Sequence, residues 1–286
     1  MPNYIPYLIL VLISLTLLIV MMVRERRFGI IVLVFSYAGM VYVAEYFVFI
    51  IGDSYEYFPE VLSIRYYDNA AGAVVSNFLI VPTLATMIAL YKLRWGWSIL
   101  ITMSFAGVEW LFIQLQIYEP HWWTIAYSVC LFFCFFYLAR FWLGQLSKGL
   151  GFFRFISLWM QAWSGVGTVM FMMSVLGIRY YHLGVYEDIY RDDLFLGSMM
   201  GILKSGVFAI FVTCFKQVKW RLLAPPLVFA LDIPLYAMGL LRVQIPFWQY
   251  TIIYAVMACL LLWWNSYAHR FLWGMGAGKL LEGQER

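Results

Sequence analysis

The sequence predicts an all-α fold, a polytopic transmembrane helical bundle of about nine helices. Three observations carry this. The 286 residues are 64% hydrophobic and only 12% charged, against roughly 25% charged in a soluble domain. A soluble domain of this size leaves a large water-facing shell, and this chain has too few polar groups to cover one. The apolar residues come in continuous runs of about 20, the length that carries a helix across hydrocarbon, not in the alternation of a β-barrel. Basic and acidic residues also alternate from loop to loop, as the positive-inside rule requires.

The first run, 5–23, has no positive charge before it and is followed by Arg24, Arg26 and Arg27. That is the reverse of a signal-peptide n-region, so it reads as a retained helix with its N-terminus outside. The remaining runs are roughly 28–51, 71–91, 97–117, 123–145, 155–177, 195–216, 221–241 and 247–267. With the N-terminus outside and the C-terminus cytoplasmic, the inner segments hold Arg24, Lys92, Arg94, Arg140, Lys148, Arg154, Lys216, Lys219, Arg221, Arg270, Lys279 and Arg286. The outer segments hold only four bases, the loop charges Arg65, Arg179, Arg191 and Arg242, and the acids Asp53, Glu56, Glu60, Asp68, Glu119, Glu187, Asp188, Asp192 and Asp193. Trp and Tyr gather near the predicted span ends, where amphipathic rings anchor to the interface.

The sequence divides into an N-terminal helix over 1–27, two four-helix segments over 28–150 and 151–270, and a cytoplasmic tail over 271–286. Each four-helix segment has a long, acidic, Tyr-rich outer loop after its first helix. An offset of 125 pairs Gly52 with Gly177, Tyr55 with Tyr180, Asp68 with Asp193 and Trp95 with Trp220. Four spans is an even number, so the expected repeat is parallel, 4+4, an arrangement known in transporters with sites at repeat interfaces.

Several ordered motifs lie in the first half: YEYFPEVLSIRYYDN at 55–69, FLIVPTLATMIALY with Pro82, Arg94–Trp95, VEWLFIQLQIYEPHWW at 108–123 and Arg140. Over about residues 37–145 the chain thereby resembles an uncharacterised family of multi-pass membrane proteins of spore-forming Gram-positive bacteria. The resemblance implies architecture and a bacterial cytoplasmic or spore membrane, but no reaction. In the second half Asp232 stands near where Glu109 would repeat, and the Glu-Trp pair is absent.

An ionisable group in hydrocarbon costs roughly 2.5–3.5 kcal/mol on insertion scales, so such groups are the first functional candidates. They are Glu109, Lys204 and Asp232, predicted near mid-depth, and Glu45, nearer the outer interface. Lys204 is expected to pair with Asp232 or Glu109, either fixing packing or tuning acids along an ion path. Asn77 is expected to hydrogen-bond between helices. Pro82 and Pro234 fall inside predicted spans, where each frees a carbonyl and kinks the helix. Gly197-x-x-x-Gly201, followed by Gly206, marks a close helix contact.

The outer loops supply a second set: Asp68, His121, His182, Asp192 and Asp193. Of the outer-loop groups, His182, Glu187, Asp188, Asp192 and Asp193 could form an oxygen-rich cation site, although their spacing fits no EF-hand loop. Cys130, Cys134, Cys214 and Cys259 lie in apolar runs and read as small packing residues.

No phosphate-binding glycine loop, HExxH helix or G-x-S-x-G elbow is present. No basic, aromatic-interleaved run fits nucleic acid. No cofactor is called for. The expected partners are the lipid bilayer and either a second copy of the chain or another membrane subunit. The leading reading is ion or small-solute transport past the mid-membrane charges. The alternatives are a non-catalytic assembly or sensing subunit and a lipid-modifying enzyme.

Overall fold

The computed structural model describes residues 2–275. Most of the expected cytoplasmic tail, with Lys279 and Arg286, lies outside the described residues. The chain is an all-α, polytopic helical bundle. It divides into two compact units, one reaching to Phe153 with Met275, the other spanning Arg154–Gly274.

Unit 1 contains α1 (Tyr4–Arg24), α2 (Ile30–Glu45) continued by a π-helical turn (Tyr46–Ile51), β1 (Tyr55–Tyr57) and α3 (Arg65–Val74). A second π-helical turn (Val75–Ile80) leads into α4 (Val81–Leu90), followed by α5 (Trp95–Gln114), β2 (Tyr118–Pro120) and α6 (Ile125–Ser147). Its core is apolar and tied by buried hydroxyls. Tyr7 donates to Ile117 O at 2.5 Å, Ser14 and Thr83 share a hydrogen at 3.1 Å, and Tyr37 donates to Ala139 O at 2.8 Å. The last two join helices, and the first ties α1 to the turn before β2, each through a group that hydrocarbon would leave unsatisfied. Near the other end of α1, Leu18 and Met21 pack with Ile30 and Val34 of α2.

Unit 2 contains α7 (Gly151–Val175, its first turn preceding the boundary), β3 (Arg179–Tyr181), α8 (Ile189–Cys214), α9 (Val218–Arg221), α10 (Ala224–Ala230), α11 (Asp232–Ala237), β4 (Leu241–Val243) and α12 (Phe247–Gly274). Gly201 and Gly206 of α8 face the indoles of Trp163 and Trp159 on α7, and Trp159 Nε1 donates to Ile202 O at 3.0 Å. The small residues thus admit tryptophans rather than a second backbone.

Among the described residues, seven helical stretches are long and apolar enough to cross a membrane: Tyr4–Arg24, Ile30–Ile51, Arg65–Leu90, Trp95–Gln114, Ile125–Ser147, Ile189–Cys214 and Phe247–Gly274. The other two expected spans differ for physical reasons. The stretch 155–177 forms α7, which is long but carries Arg154 and Gln161 among serines and glycines. The stretch 221–241 forms three short helices. Pro225 and Pro226 sit at the start of α10, where no amide donor is required, and Pro234 removes a donor just after the break at Leu231. Pro82 stands at the start of α4, directly after the π-helical turn.

The two units repeat one order, helix, strand, helix, helix, strand, helix, with α9–α11 standing where unit 1 has α5. In each, the strands form an antiparallel pair: Tyr57 opposite Tyr118, and Tyr181 opposite Leu241. The register differs from the offset of 125. Asp53 and Gly177 share a left-handed backbone, φ 47° and 65°, and lie 124 apart. Gln116 and Gly239 share another, φ 56° and 74°, and lie 123 apart. Unit 1 therefore holds one extra residue between the two points. The π-helical turn Val75–Ile80, which has no counterpart in the continuous α8, is the kind of element that houses one.

Candidate functional site

Unit 1 encloses a cavity of about 350 Å³ that reaches all five of its long helical stretches, from Leu10 on α1 to Leu138 on α6. Most of its wall is aliphatic or aromatic. Its polar groups are Glu45 from α2, Glu109 from α5, Ser76 and Asn77 from the π-helical turn, Ser128 from α6, and the phenols of Tyr7, Tyr55, Tyr57 and Tyr118. Among the described residues, no Lys, Arg or His lines it, and neither carboxylate joins an ion pair.

Phenols serve the carboxylates. Tyr55 donates to Glu45 Oε2 at 2.7 Å and Tyr118 to Glu109 Oε1 at 3.4 Å, with Ser128 also hydrogen-bonding Glu109. Trp123 Nε1 fixes Ser128 by donating to its hydroxyl at 2.8 Å. The rings of Tyr55 and Tyr118 lie 5.5 Å apart, and those of Tyr57 and Tyr118 4.8 Å apart. Burial first, then neighbouring phenols and both carboxylates, raises the pKa of the Tyr57 and Tyr118 hydroxyls, so both stay protonated donors. Glu45 and Glu109 act on the same tyrosines, and each sits within two turns of the end of its helix nearest the strands. They therefore belong to one polar end of the cavity, where the sequence placed them at different depths. Asn77 is buried, but its Nδ2 makes no hydrogen bond. The expected bridge between helices is replaced by an amide on the cavity wall.

The cavity has an apolar side opening. Leu131, Cys134 and Leu138 of α6 and Ala44 of α2 line it and are also exposed. The four cysteines, expected as small packing residues, are all exposed and free.

Unit 2 holds the other two charges expected near mid-depth, Lys204 and Asp232. Lys204 Nζ donates to Asp232 Oδ1 at 2.7 Å and Oδ2 at 2.6 Å, and to Tyr181 Oη at 3.0 Å. Tyr181 in turn donates to Asp232 Oδ1 at 2.8 Å. The ammonium lies 5.7 Å from the Tyr181 ring centre and 5.4 Å from that of Tyr254. Lys204 and Asp232 are each 2% exposed. Arg179 adjoins them, donating to Met170 O at 2.9 Å and reaching Asp193 Oδ1 at 3.5 Å. Burial opposes its charge, but Tyr181 and Asp193 outweigh it and raise its pKa. Two buried cations thus meet two buried carboxylates. Of the trio Glu109, Lys204 and Asp232, only the last two come together; Glu109 belongs to the unit 1 cavity.

Asp68, Asp192 and Asp193 of the outer loops accept hydrogen bonds from their own loop backbones. Asp68 accepts from the amides of Glu60, Val61 and Leu62 at 2.8–2.9 Å. Asp192 accepts from Leu183, Gly184, Val185 and Tyr186 at 2.5–3.3 Å. Asp193 Oδ1 accepts from Tyr181 N at 2.6 Å, as Asn69 Oδ1 does from Tyr57 N at 2.9 Å. Asp68 therefore matches Asp192, and Asn69 matches Asp193. His182 Nδ1 stands 3.1 Å from Asp192 Oδ2, and exposed His121 Nδ1 lies 2.7 Å from Asp53 O. Among the described residues, no three His, Cys, Asp or Glu gather as a metal site.

Sequence reasoning missed Tyr181, Arg179 and the four cavity phenols. It read tyrosines at span ends as interface anchors and Arg179 as a loop charge. The signal available was the spacing of Tyr55, Tyr57 and Tyr118 about acids in the neighbouring spans. Gln161, fully buried with both amide atoms unpartnered, was also missed.

Fold and site together define a class: an integral, multi-helical membrane protein with a carboxylate-bearing chamber in one unit and a closed charge cluster in the other. Comparison with protein-family models, with curated proteins and with solved structures returned no match to the chain.

Proposed function

We propose that unit 1 is the binding chamber of a membrane protein that takes up a small cationic solute or ion. The observation that carries this is the pair Glu45 and Glu109, facing a common cavity that, among the described residues, no basic residue lines. A carboxylate held away from water favours either a proton or a bound cation, and phenol faces and hydroxyls favour the cation further. The pathway charges are Glu45 and Glu109, while Lys204 and Asp232 neutralise each other and serve packing.

Charge distribution supports an orientation with the β1–β2 end outside. Within unit 1, Arg24 stacks on Tyr91 at 4.9 Å, and Arg140 donates to Leu93 O at 2.7 Å. Those basic groups thereby cluster away from the strand-bearing loops with Glu56, Glu60 and Glu119. A bacterial cytoplasmic or spore membrane fits the family resemblance.

The test is cation and proton flux through purified protein in liposomes. Flux is expected to fall at least tenfold in Glu45→Gln and Glu109→Gln and to persist in the double variant Lys204→Met/Asp232→Leu. Flux unchanged in both glutamine variants, with folding intact, would remove the chamber from the pathway.

A further inference from the structure

We propose that the unit 1 chamber binds a primary ammonium group on a short apolar chain, the part that Lys204 plays inside unit 2. The inference rests on the reading of that chamber as a cation site and adds the chemistry of the cation.

The two units match position by position. Asp232 lies 123 residues after Glu109, the separation that also relates Gln116 to Gly239 and the β2 residue Tyr118 to the β4 residue Leu241. Tyr181 lies 124 after Tyr57, and each has its amide held by the residue matching the other's, Asp193 and Asn69. Both units thus set a carboxylate and a β-strand tyrosine at corresponding places. In unit 2 that carboxylate is taken by the ammonium of Lys204, which also donates to the tyrosine oxygen and lies near two ring faces. A lysine side chain from Cβ outward is a butylammonium ion, so unit 2 holds a tethered ligand.

Unit 1 keeps the carboxylate and omits the cation. The position matching Lys204 is Ile80 at the register before the π-helical turn and Val81 at the register after it. Both line the cavity, and neither carries charge. Where unit 2 has an alkylammonium chain, unit 1 has open space with Glu109 at its polar end. Glu45 has no acid near its matching positions Val169 and Met170, so unit 1 adds a second acceptor. Carboxylate and phenol oxygens are acceptors that use the three N–H donors of a primary ammonium and find none on a quaternary one. The apolar opening past Leu131, Cys134 and Leu138 admits the chain.

The experiment uses full-length protein in lipid nanodiscs, titrated calorimetrically with n-butylammonium, tetramethylammonium, sodium and n-butanol. n-Butylammonium is expected to bind at one site, at least tenfold more tightly than the other three. Binding is expected to weaken about tenfold or more in Glu109→Gln, the loss of one charged hydrogen bond. Ile80→Lys or Val81→Lys is expected to abolish it by supplying the tethered ammonium, and butylammonium is expected to slow maleimide labelling of Cys134. Should both lysine variants fail to fold, Glu109→Gln and Cys134 protection decide. Equal or tighter binding of sodium or tetramethylammonium would overturn the ammonium inference and leave the cation chamber standing. Butylammonium binding indifferent to Glu109→Gln would place the site elsewhere and overturn the inference. Binding of no cation would overturn both readings.

Discussion

At the scale of single residues, the molecule shows two solutions to a carboxylate in a low-dielectric interior. Asp232 has a fixed counter-charge in Lys204, at 2.6 Å; Glu109 has the hydroxyls of Tyr118 and Ser128. Removing one member of a buried ion pair strands the other, at a cost of about 3–5 kcal/mol, whereas replacing both by apolar groups is often neutral. Lys204→Met alone is therefore expected to lower the melting temperature clearly, and Lys204→Met/Asp232→Leu to recover most of the loss; thermal denaturation in detergent compares them. Glu109→Gln leaves no stranded partner and is expected to melt within a degree or two of the parent. Sequence alone identified these ionisable residues as costly. It could not assign partners, because pairing depends on which helices pack together and composition is silent on that. Asp192 shows the same limit: its acidity was legible, but the four loop amides it binds were not.

At the scale of elements, helices were legible wherever a long apolar run was uninterrupted, as in α1, α5, α6 and α12. Prolines disturbed the reading at α9–α11, where the expected span 221–241 is three short pieces. The strands were invisible, because three-residue pairings such as Arg179–Tyr181 with Leu241–Val243 leave no periodic trace. Their turns carry measurable strain. Gly239 adopts φ 74°, open to glycine at little cost, while its counterpart Gln116 adopts φ 56° with a side chain. A left-handed backbone costs a non-glycine residue roughly 1–2 kcal/mol. Gly239→Ala is expected to destabilise unit 2 by about that amount, and Gln116→Gly to leave unit 1 equal or more stable, as denaturant titration would show. Gly72 is constrained differently, since a Cβ there would fall 2.5 Å from Tyr57 Cβ. Gly72→Ala would push β1, with Tyr55 and Tyr57, out of the cavity wall.

At the scale of the whole molecule, the helix–strand order shared by the two units gives a register that the sequence did not. Chance identities in so narrow a composition favoured an offset of 125; backbone conformation and carboxylate-to-amide bonds give 124 and then 123. That correction puts Asp232 opposite Glu109. The orientation inferred from charge makes its own prediction. In a cysteine-free background, a membrane-impermeant maleimide added to intact cells is expected to label Glu60→Cys and spare Lys92→Cys. The reverse pattern would invert the topology.

The π-helical turn Val75–Ile80 has a consequence for how such a chamber changes its specificity. Successive residues of an α-helix point about 100° apart. A turn able to gain or lose one residue therefore works as an indexing joint: it rotates everything beyond it by one step about the axis while the helix before it stays in place. Deleting one residue there would swing α4 so that a different column of side chains meets the cavity. The pocket's wall would be rewritten by a single codon, with no substitution at any residue that lines it.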